Sequence, residues 1–79
     1  MDNNEKIVAY VILVVEVGKE YNVLDELKKL NGVTEARVVY GEYDIIVRME
    51  VDSIKMLEKL VMNIRRIKGV LRSVTLISA

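Results

Sequence analysis

An internal repeat limits the folds that this chain can adopt. Residues 27–33 (LKKLNGV) match residues 64–70 (IRRIKGV) at an offset of 37 residues. In both copies a run with helical spacing ends at a glycine, and Gly32 supplies the left-handed residue that closes the first helix. A β-rich run follows each glycine. The chain therefore divides into two halves, each built as strand, helix, glycine stop and strand.

Local patterns place the six elements. Residues 7–15 are β-branched and predict a strand, and residues 19–30 have helical spacing. Residues 33–40 and 43–51 predict a hairpin, Asp52 is expected to cap a second helix, and residues 70–77 predict the last strand. The apolar stripe of the second helix contains Ile54, Leu57, Leu60, Val61, Ile64 and Ile67. This order predicts a ferredoxin-like βαββαβ fold of class α+β, with two helices on one face of a four-stranded antiparallel sheet. Right-handed crossovers place the first and third strands in the middle.

The first strand is apolar on both of its faces. One parity is Ile7, Ala9, Val11, Leu13 and Val15, and the other is Val8, Tyr10, Ile12 and Val14. A sheet with one solvated face alternates apolar and polar residues instead. If Val8, Tyr10, Ile12 and Val14 were exposed to solvent, they would form a large apolar patch. We therefore expect the protein to dimerise through the sheet face that carries no helices.

Composition excludes several classes of function. The chain has 79 residues with 12 basic and 12 acidic side chains, so no net charge attracts it to nucleic acid or to an anionic membrane. It has no Cys and no His, which removes the commonest metal ligands and the commonest general base. We therefore expect no metal site, no cofactor and no enzymatic activity. The longest apolar run has nine residues, too short to span a membrane. Residues 1–6 form a polar tail without the features of a signal peptide, so we expect a cytoplasmic protein with a single domain over residues 1–79.

The tetrapeptide Gly41-Glu42-Tyr43-Asp44 separates two β-rich runs. A turn there needs Gly41 for its backbone angles, but turn geometry does not require the aromatic ring or the carboxylate. A carboxylate beside backbone amides suits a zwitterionic ligand, since the carboxylate accepts from an ammonium and the amides donate to the ligand's carboxylate. A solvated hairpin turn is the simpler reading of the same residues.

The element order, the Gly-Val pair that opens the second strand and the hairpin sequence VVYGEYDIIV together resemble the effector domain of the Lrp/AsnC family of transcription regulators. This domain is often called RAM, for regulation of amino acid metabolism. The C-terminal run IKGVLRSVTLI also resembles the end of that domain. The similarity covers residues 7–77, and the Gly-x-Tyr-Asp turn is its most specific part.

The resemblance implies a function and an assembly. Domains of this family dimerise through their sheets, and the dimers join into octamers or decamers that bind a free amino acid where two dimers meet. Carried over to this chain, the ligand-binding residues are Gly41, Glu42, Tyr43, Asp44, Ser73 and Thr75. The Gly41 turn and Asp44 contribute main-chain and carboxylate contacts, and Ser73 and Thr75 contribute hydroxyl groups. Tyr43 either shapes the wall of the site or packs under the turn.

The chain departs from a complete regulator because only six polar residues precede the first strand, so we expect no recognition helix to read DNA directly. The resemblance therefore implies a stand-alone effector domain that senses amino acids and co-assembles with full-length Lrp/AsnC regulators. Two alternatives stay open. One is an ACT-like amino-acid-binding module, whose site lies in the loop near Val17 and Gly18. The other is a structural oligomerisation module that binds no ligand.

Overall fold

The central strand β1 (Ile7–Val15) organises the sheet. A computed structural model describes residues 5–79, and residues 1–4 of the predicted polar tail lie outside the described residues. After β1 follow α1 (Glu20–Lys28), β2 (Val33–Val38), β3 (Ile45–Val51), α2 (Ile54–Arg65) and β4 (Val70–Ile77). The strands pair antiparallel in the order β2-β3-β1-β4. The predicted ferredoxin-like fold, with the first and third strands in the middle, is confirmed.

The two faces of β1 have different environments. Ala9, Val11 and Leu13 are fully buried, whereas the alternate residues Val8, Tyr10, Ile12 and Val14 are only half-buried. The buried set packs with residues of α1 and α2 in one core. We call the other side of the sheet, which carries the half-buried set, the open face. Its apolar residues on the neighbouring strands are Ile46 on β3 and Val74 and Leu76 on β4, which pair with Ile12 and Tyr10 across the sheet.

Among the described residues, every buried side chain is apolar. Gly32 allows α2 to approach the sheet within this core. A Cβ atom at Gly32 would lie 2.9 Å from Cδ2 of Leu60 and 3.3 Å from Cγ1 of Val51, and its φ of +99° is one that other residues rarely adopt. The predicted left-handed conformation of Gly32 is therefore confirmed, in the turn that follows α1, and the same position also needs a residue without a side chain.

The β2–β3 connection is longer than predicted. The strands end at Val38 and begin again at Ile45, so residues 39–44 form a six-residue loop in place of the tight turn expected between residues 40 and 43. The amide of Val39 donates to the carbonyl of Asp44 at 2.8 Å and closes the base of this loop. The sequence alone did not show this closure, because Val39 and Tyr40 have strand-forming side chains but take no part in the sheet pairing.

The start of α2 also differs from the prediction. Ser53, not Asp52, is the N-cap: its backbone is extended and its hydroxyl accepts from the amide of Met56 at 3.2 Å. Asp52 instead pairs with Lys6 at 2.8 Å, which raises the pKa of Lys6. In the apolar stripe, Leu57, Leu60 and Ile64 are buried, whereas Ile54 in the first turn is 49% exposed. The first helix, α1, begins one residue later and ends two residues earlier than the predicted residues 19–30.

Candidate functional site

The loop of residues 39–44 presents unpaired backbone amides at one end of the sheet. Within residues 5–79, the amides of residues 40–43 donate to no other residue, while the amides of Val39 and Asp44 both do. Gly41 has a φ of +132°, as the sequence predicted, and no atom lies within 4 Å of the position that a Cβ would occupy. The loop therefore offers a group of donors that is open to a ligand or to solvent.

Asp44 connects this loop to β1. Its Oδ2 accepts a hydrogen bond from the amide of Val15 at 2.8 Å, and its own amide donates to the carbonyl of Leu13 at 2.8 Å. These bonds hold the half-buried carboxylate beside the exposed residues Gly41 and Glu42 and the half-buried Tyr43. Oδ1 makes no hydrogen bond with any residue of the described chain, so it can still accept a bond from a ligand ammonium.

Ser73 and Thr75 lie away from the loop, across β1. Ser73 pairs with Leu13, which in turn pairs with Ile45, so Ser73 is about 10 Å from β3 at two strand spacings. Thr75 pairs with Val11, one repeat of the strand farther from the loop. Because opposed residues share a face, both hydroxyls lie on the helix side of the sheet. Of the predicted site residues, the four from Gly41 to Asp44 therefore lie together within one chain. Ser73 and Thr75 of the same chain lie apart from them.

Arg72 follows Leu71 and precedes Ser73 in β4, and it was not among the residues that the sequence predicted for the site. It pairs with Val14 across β1 and therefore lies on the open face, next to Ser73 but on the other side of the sheet. Its side chain is exposed. The signal that the sequence did carry was parity: once Ser73 faces the helices, its neighbour in the strand must face the other way.

On the open face, β1 is apolar and β4 carries Val74 and Leu76 beside Arg72, whereas β2 and β3 carry mainly charged side chains apart from Ile46. Arg48 donates to Glu50 and to the hydroxyl of Thr34, the latter at 2.9 Å, and Glu35 pairs with Arg37. Hydrogen bonding to Glu50, and secondarily to Tyr10, raises the pKa of the Arg48 guanidinium. These charged side chains of β2 and β3 are therefore paired within the chain. The apolar side chains of β1 and β4 on the same face remain partly exposed to solvent.

Three structural findings bear on other classes of function. Within residues 5–79, no group of three or more acidic, His or Cys side chains has an arrangement suited to a metal ion. In the same range neither helix is long and apolar enough to cross a membrane. The two helices are also separated by a β-hairpin, so this part of the chain contains no helix-turn-helix unit.

Comparison with known proteins decides the family. The family model of the Lrp/AsnC ligand binding domain matches residues 8–79. The chain belongs to this family. A search of curated proteins finds no match. Among solved structures, the crystal structure of FFRP-DM1 is 36% identical with a TM-score of 0.88, and the match covers 92% of this chain and 99% of that one.

Two longer proteins share the fold. AsnC of E. coli is 23% identical with a TM-score of 0.87, over 99% of this chain and 56% of that one. A transcriptional regulator from Neisseria meningitidis, solved as a complex with L-Met, is 13% identical with a TM-score of 0.83, over 96% of this chain and 51% of that one. This Lrp/AsnC domain therefore spans about half the length of those two regulators.

Proposed function

We propose that this Lrp/AsnC domain binds a free amino acid through the loop of residues 39–44 and so acts as the sensing part of a system that regulates transcription and amino acid metabolism. The observation that carries the proposal is the loop itself. It combines unpaired amides with a carboxylate held in place by β1, and such a combination matches the two charges of an amino acid. The L-Met complex of the Neisseria regulator supports this class of ligand.

The proposed contacts divide the ligand into two ends. Oδ1 of Asp44 accepts from the ligand ammonium, while the amides around Gly41 and Glu42 donate to the ligand carboxylate. Tyr43 is half-buried and forms part of the wall. Ser73 and Thr75 lie too far from the loop of their own chain, so any hydroxyl contact comes from the neighbouring copy in the assembly.

The proposed assembly begins with a dimer formed through the open face. Val8, Tyr10, Ile12 and Val14 lie side by side there, and burial of each is worth about 1.5–3 kcal/mol as an upper value. A second copy fits best, because the charges on β2 and β3 are already paired within the chain and need no acidic or basic partner. Dimers then join into an octamer or decamer with the amino acid between them, as in the family that the chain belongs to.

We propose that regulation passes through full-length Lrp/AsnC regulators that co-assemble with this chain in the cytoplasm. On this account the 79-residue protein neither catalyses a reaction nor binds duplex DNA alone. Sequence-specific binding in a gel-shift assay at physiological salt would contradict the second point. Steady turnover of a metabolite would contradict the first.

The experiment that tests the proposal is a calorimetric screen of the purified protein against the common L-amino acids, followed by loop variants. Asp44→Asn should weaken binding about tenfold to a hundredfold. Val17→Asp serves as the control, since Val17 is 96% exposed and lies in the loop where an ACT-like module binds its ligand. Binding lost in Val17→Asp but kept in Asp44→Asn indicates the ACT-like site. No binding by any amino acid indicates a structural oligomerisation module.

A further inference from the structure

Strand β4 forms one edge of the sheet, and within residues 5–79 its outer side pairs with no other strand. Four of its eight residues are exposed apolar side chains, namely Leu71, Val74, Leu76 and Ile77. Residues 73–79 carry no charge. Folded proteins commonly protect an edge strand with charged side chains, as β2 does at the opposite edge with Glu35 and Arg37. Over residues 73–77, β4 lacks this protection and is suited to pair with another strand.

The register of β1 and β4 shows which backbone groups of β4 face outward. The amide of Ser78 donates to the carbonyl of Val8 at 2.8 Å, directly after the last paired residues of the ladder. These two residues therefore form a hydrogen-bonded pair, and such pairs alternate along an antiparallel ladder. The backbone groups that point away from β1 are consequently those of Ser73, Thr75 and Ile77.

The proposed open-face dimer leaves this edge uncovered. The outward amides and carbonyls lie in the plane of the sheet, whereas that dimer covers only the face without helices. Thr75 and Ile77 direct their side chains to the helix side, because they pair with buried residues of β1. Both side chains are nevertheless exposed, so α2 does not extend over the outer strand. The β4 edge is therefore available to a further contact in an assembled dimer.

We propose that the β4 edge pairs with the same edge of a second copy of this chain, antiparallel about a twofold axis at Thr75, and so joins two open-face dimers. This register places Thr75 opposite Thr75 of the second copy and Ser73 opposite Ile77. Each outward-facing backbone group then meets an outward-facing group, so the amides and carbonyls of both edges become hydrogen-bonded.

The side chains of β4 fit a second copy better than a partner of different chemistry. In the twofold register Val74 of one copy lies opposite Leu76 of the other on the open face, so an apolar pair forms twice across the contact. On the helix side the hydroxyl of Thr75 meets its own equivalent. The two Arg72 side chains lie six residues apart along the paired strands, about 20 Å, so their charges do not oppose each other.

A substitution at Thr75 tests the contact through the mass of the assembly. Thr75→Pro removes an outward amide, while the bonds from β4 to β1 come from the alternate residues and remain. By light scattering the parent should exceed a dimer, and Thr75→Pro should stop at about twice the 9.0 kDa of one chain. Thr75→Val is the matched control, because it keeps both the amide and the shape of the side chain. It should retain the parent mass.

Cross-linking tests the register directly. The chain has no cysteine, and opposed residues of a hydrogen-bonded pair have Cα atoms about 5.5 Å apart, which is within the range of a disulfide. Mild oxidation should therefore link two copies of Thr75→Cys into a covalent dimer. The open-face dimer cannot form this link, because the side chain at this position lies on the helix side. Thr34→Cys, exposed on the other edge strand β2, is the control and should stay unlinked.

The outcomes distinguish this inference from the proposed amino-acid sensing. A parent no larger than a dimer, or a Thr75→Pro variant that keeps the parent mass, overturns the edge contact whatever calorimetry shows for amino acids. Equal cross-linking of Thr34→Cys and Thr75→Cys also overturns it. A parent that binds no amino acid but loses mass in Thr75→Pro supports the edge contact and contradicts the sensing. Circular dichroism checks the fold of each variant, and if Thr75→Pro unfolds, the cross-linking result decides.

Discussion

The carboxylate of Asp44 accepts a hydrogen bond from the backbone amide of Val15, with 2.8 Å between Oδ2 and the nitrogen. Regular pairing of β1 with β3 stops at Leu13 and Ile45, so this side chain satisfies an amide that lies beyond the ladder. Asp44 therefore has a structural role that the sequence did not reveal. Any test of its proposed ligand contact has to separate the two roles.

Two substitutions at Asp44 separate its structural role from its proposed ligand contact. Asp44→Ala leaves the amide of Val15 without its acceptor and should lower the free energy of unfolding by about 1–3 kcal/mol. Asp44→Asn keeps an oxygen for Val15 but loses the charge, so it should fold nearly as stably and bind an amino acid about tenfold to a hundredfold more weakly. Urea unfolding and calorimetry measure the two quantities. Equal stability of Asp44→Ala and the parent would contradict the structural role.

Gly41→Val should weaken binding through the backbone. The φ of +132° at Gly41 is one that a β-branched residue resists, at a cost of about 1–3 kcal/mol, although the space around it is open. The loop should relieve this strain by moving, which displaces its amides. Gly18→Val is the control, since Gly18 also has a positive φ of +86° and open surroundings in another loop. Calorimetry should show loss of binding in Gly41→Val and retention in Gly18→Val, and the reverse would place the ligand elsewhere.

The open face should make the protein at least a dimer at micromolar concentration. Ile12→Glu places a charge at the centre of that face and should shift the protein toward monomer, because burial of an unpaired carboxylate is costly. Met62→Glu is the matched control, since Met62 is 50% exposed on α2 at the other side of the molecule. Light scattering coupled to size exclusion measures the mass. A parent protein that runs as a 9.0 kDa monomer contradicts the assembly.

Removal of the hydroxyls on β4 should have a smaller effect than removal of the charge at Asp44. Ser73→Ala and Thr75→Ala each lose at most one neutral hydrogen bond, worth about 0.5–1.5 kcal/mol, and water can replace it. Both side chains lie on the helix side of the sheet, away from the loop of the same chain. Calorimetry of the two variants checks the order. An effect of Ser73→Ala as large as that of Asp44→Asn would mean that the neighbouring copy dominates the site.

The fold could be predicted from the sequence because its signals are local. A glycine with positive φ follows each helix, Gly32 after α1 and Gly69 after α2, and the apolar parity of β1 determines which of its residues face the helices. The predictions were wrong where the local sequence fits two structures equally well. Asp52 and Ser53 are both good caps, and only the extended backbone at Ser53 decides between them. Val39 and Tyr40 look like strand residues, but the loop closure by Asp44 removes them from the sheet.

The candidate site could be predicted only in part. The loop residues are contiguous in sequence, so their proximity required no knowledge of the sheet. The position of Arg72 depends on the β1–β4 register, and that pairing brings together residues separated by more than fifty positions. The same register moves Ser73 to the other side of the sheet. Sequence reasoning could identify these residue types but not their faces relative to Asp44.

The most direct test of the account is calorimetry of the common L-amino acids against the intact protein and Asp44→Asn, with assembly checked by light scattering. We predict that the parent binds at least one amino acid and that Asp44→Asn binds it about tenfold to a hundredfold more weakly while it remains assembled. Equal affinity in an assembled Asp44→Asn would contradict the account at its central residue, and the loop of residues 39–44 would then be only a connection between two strands.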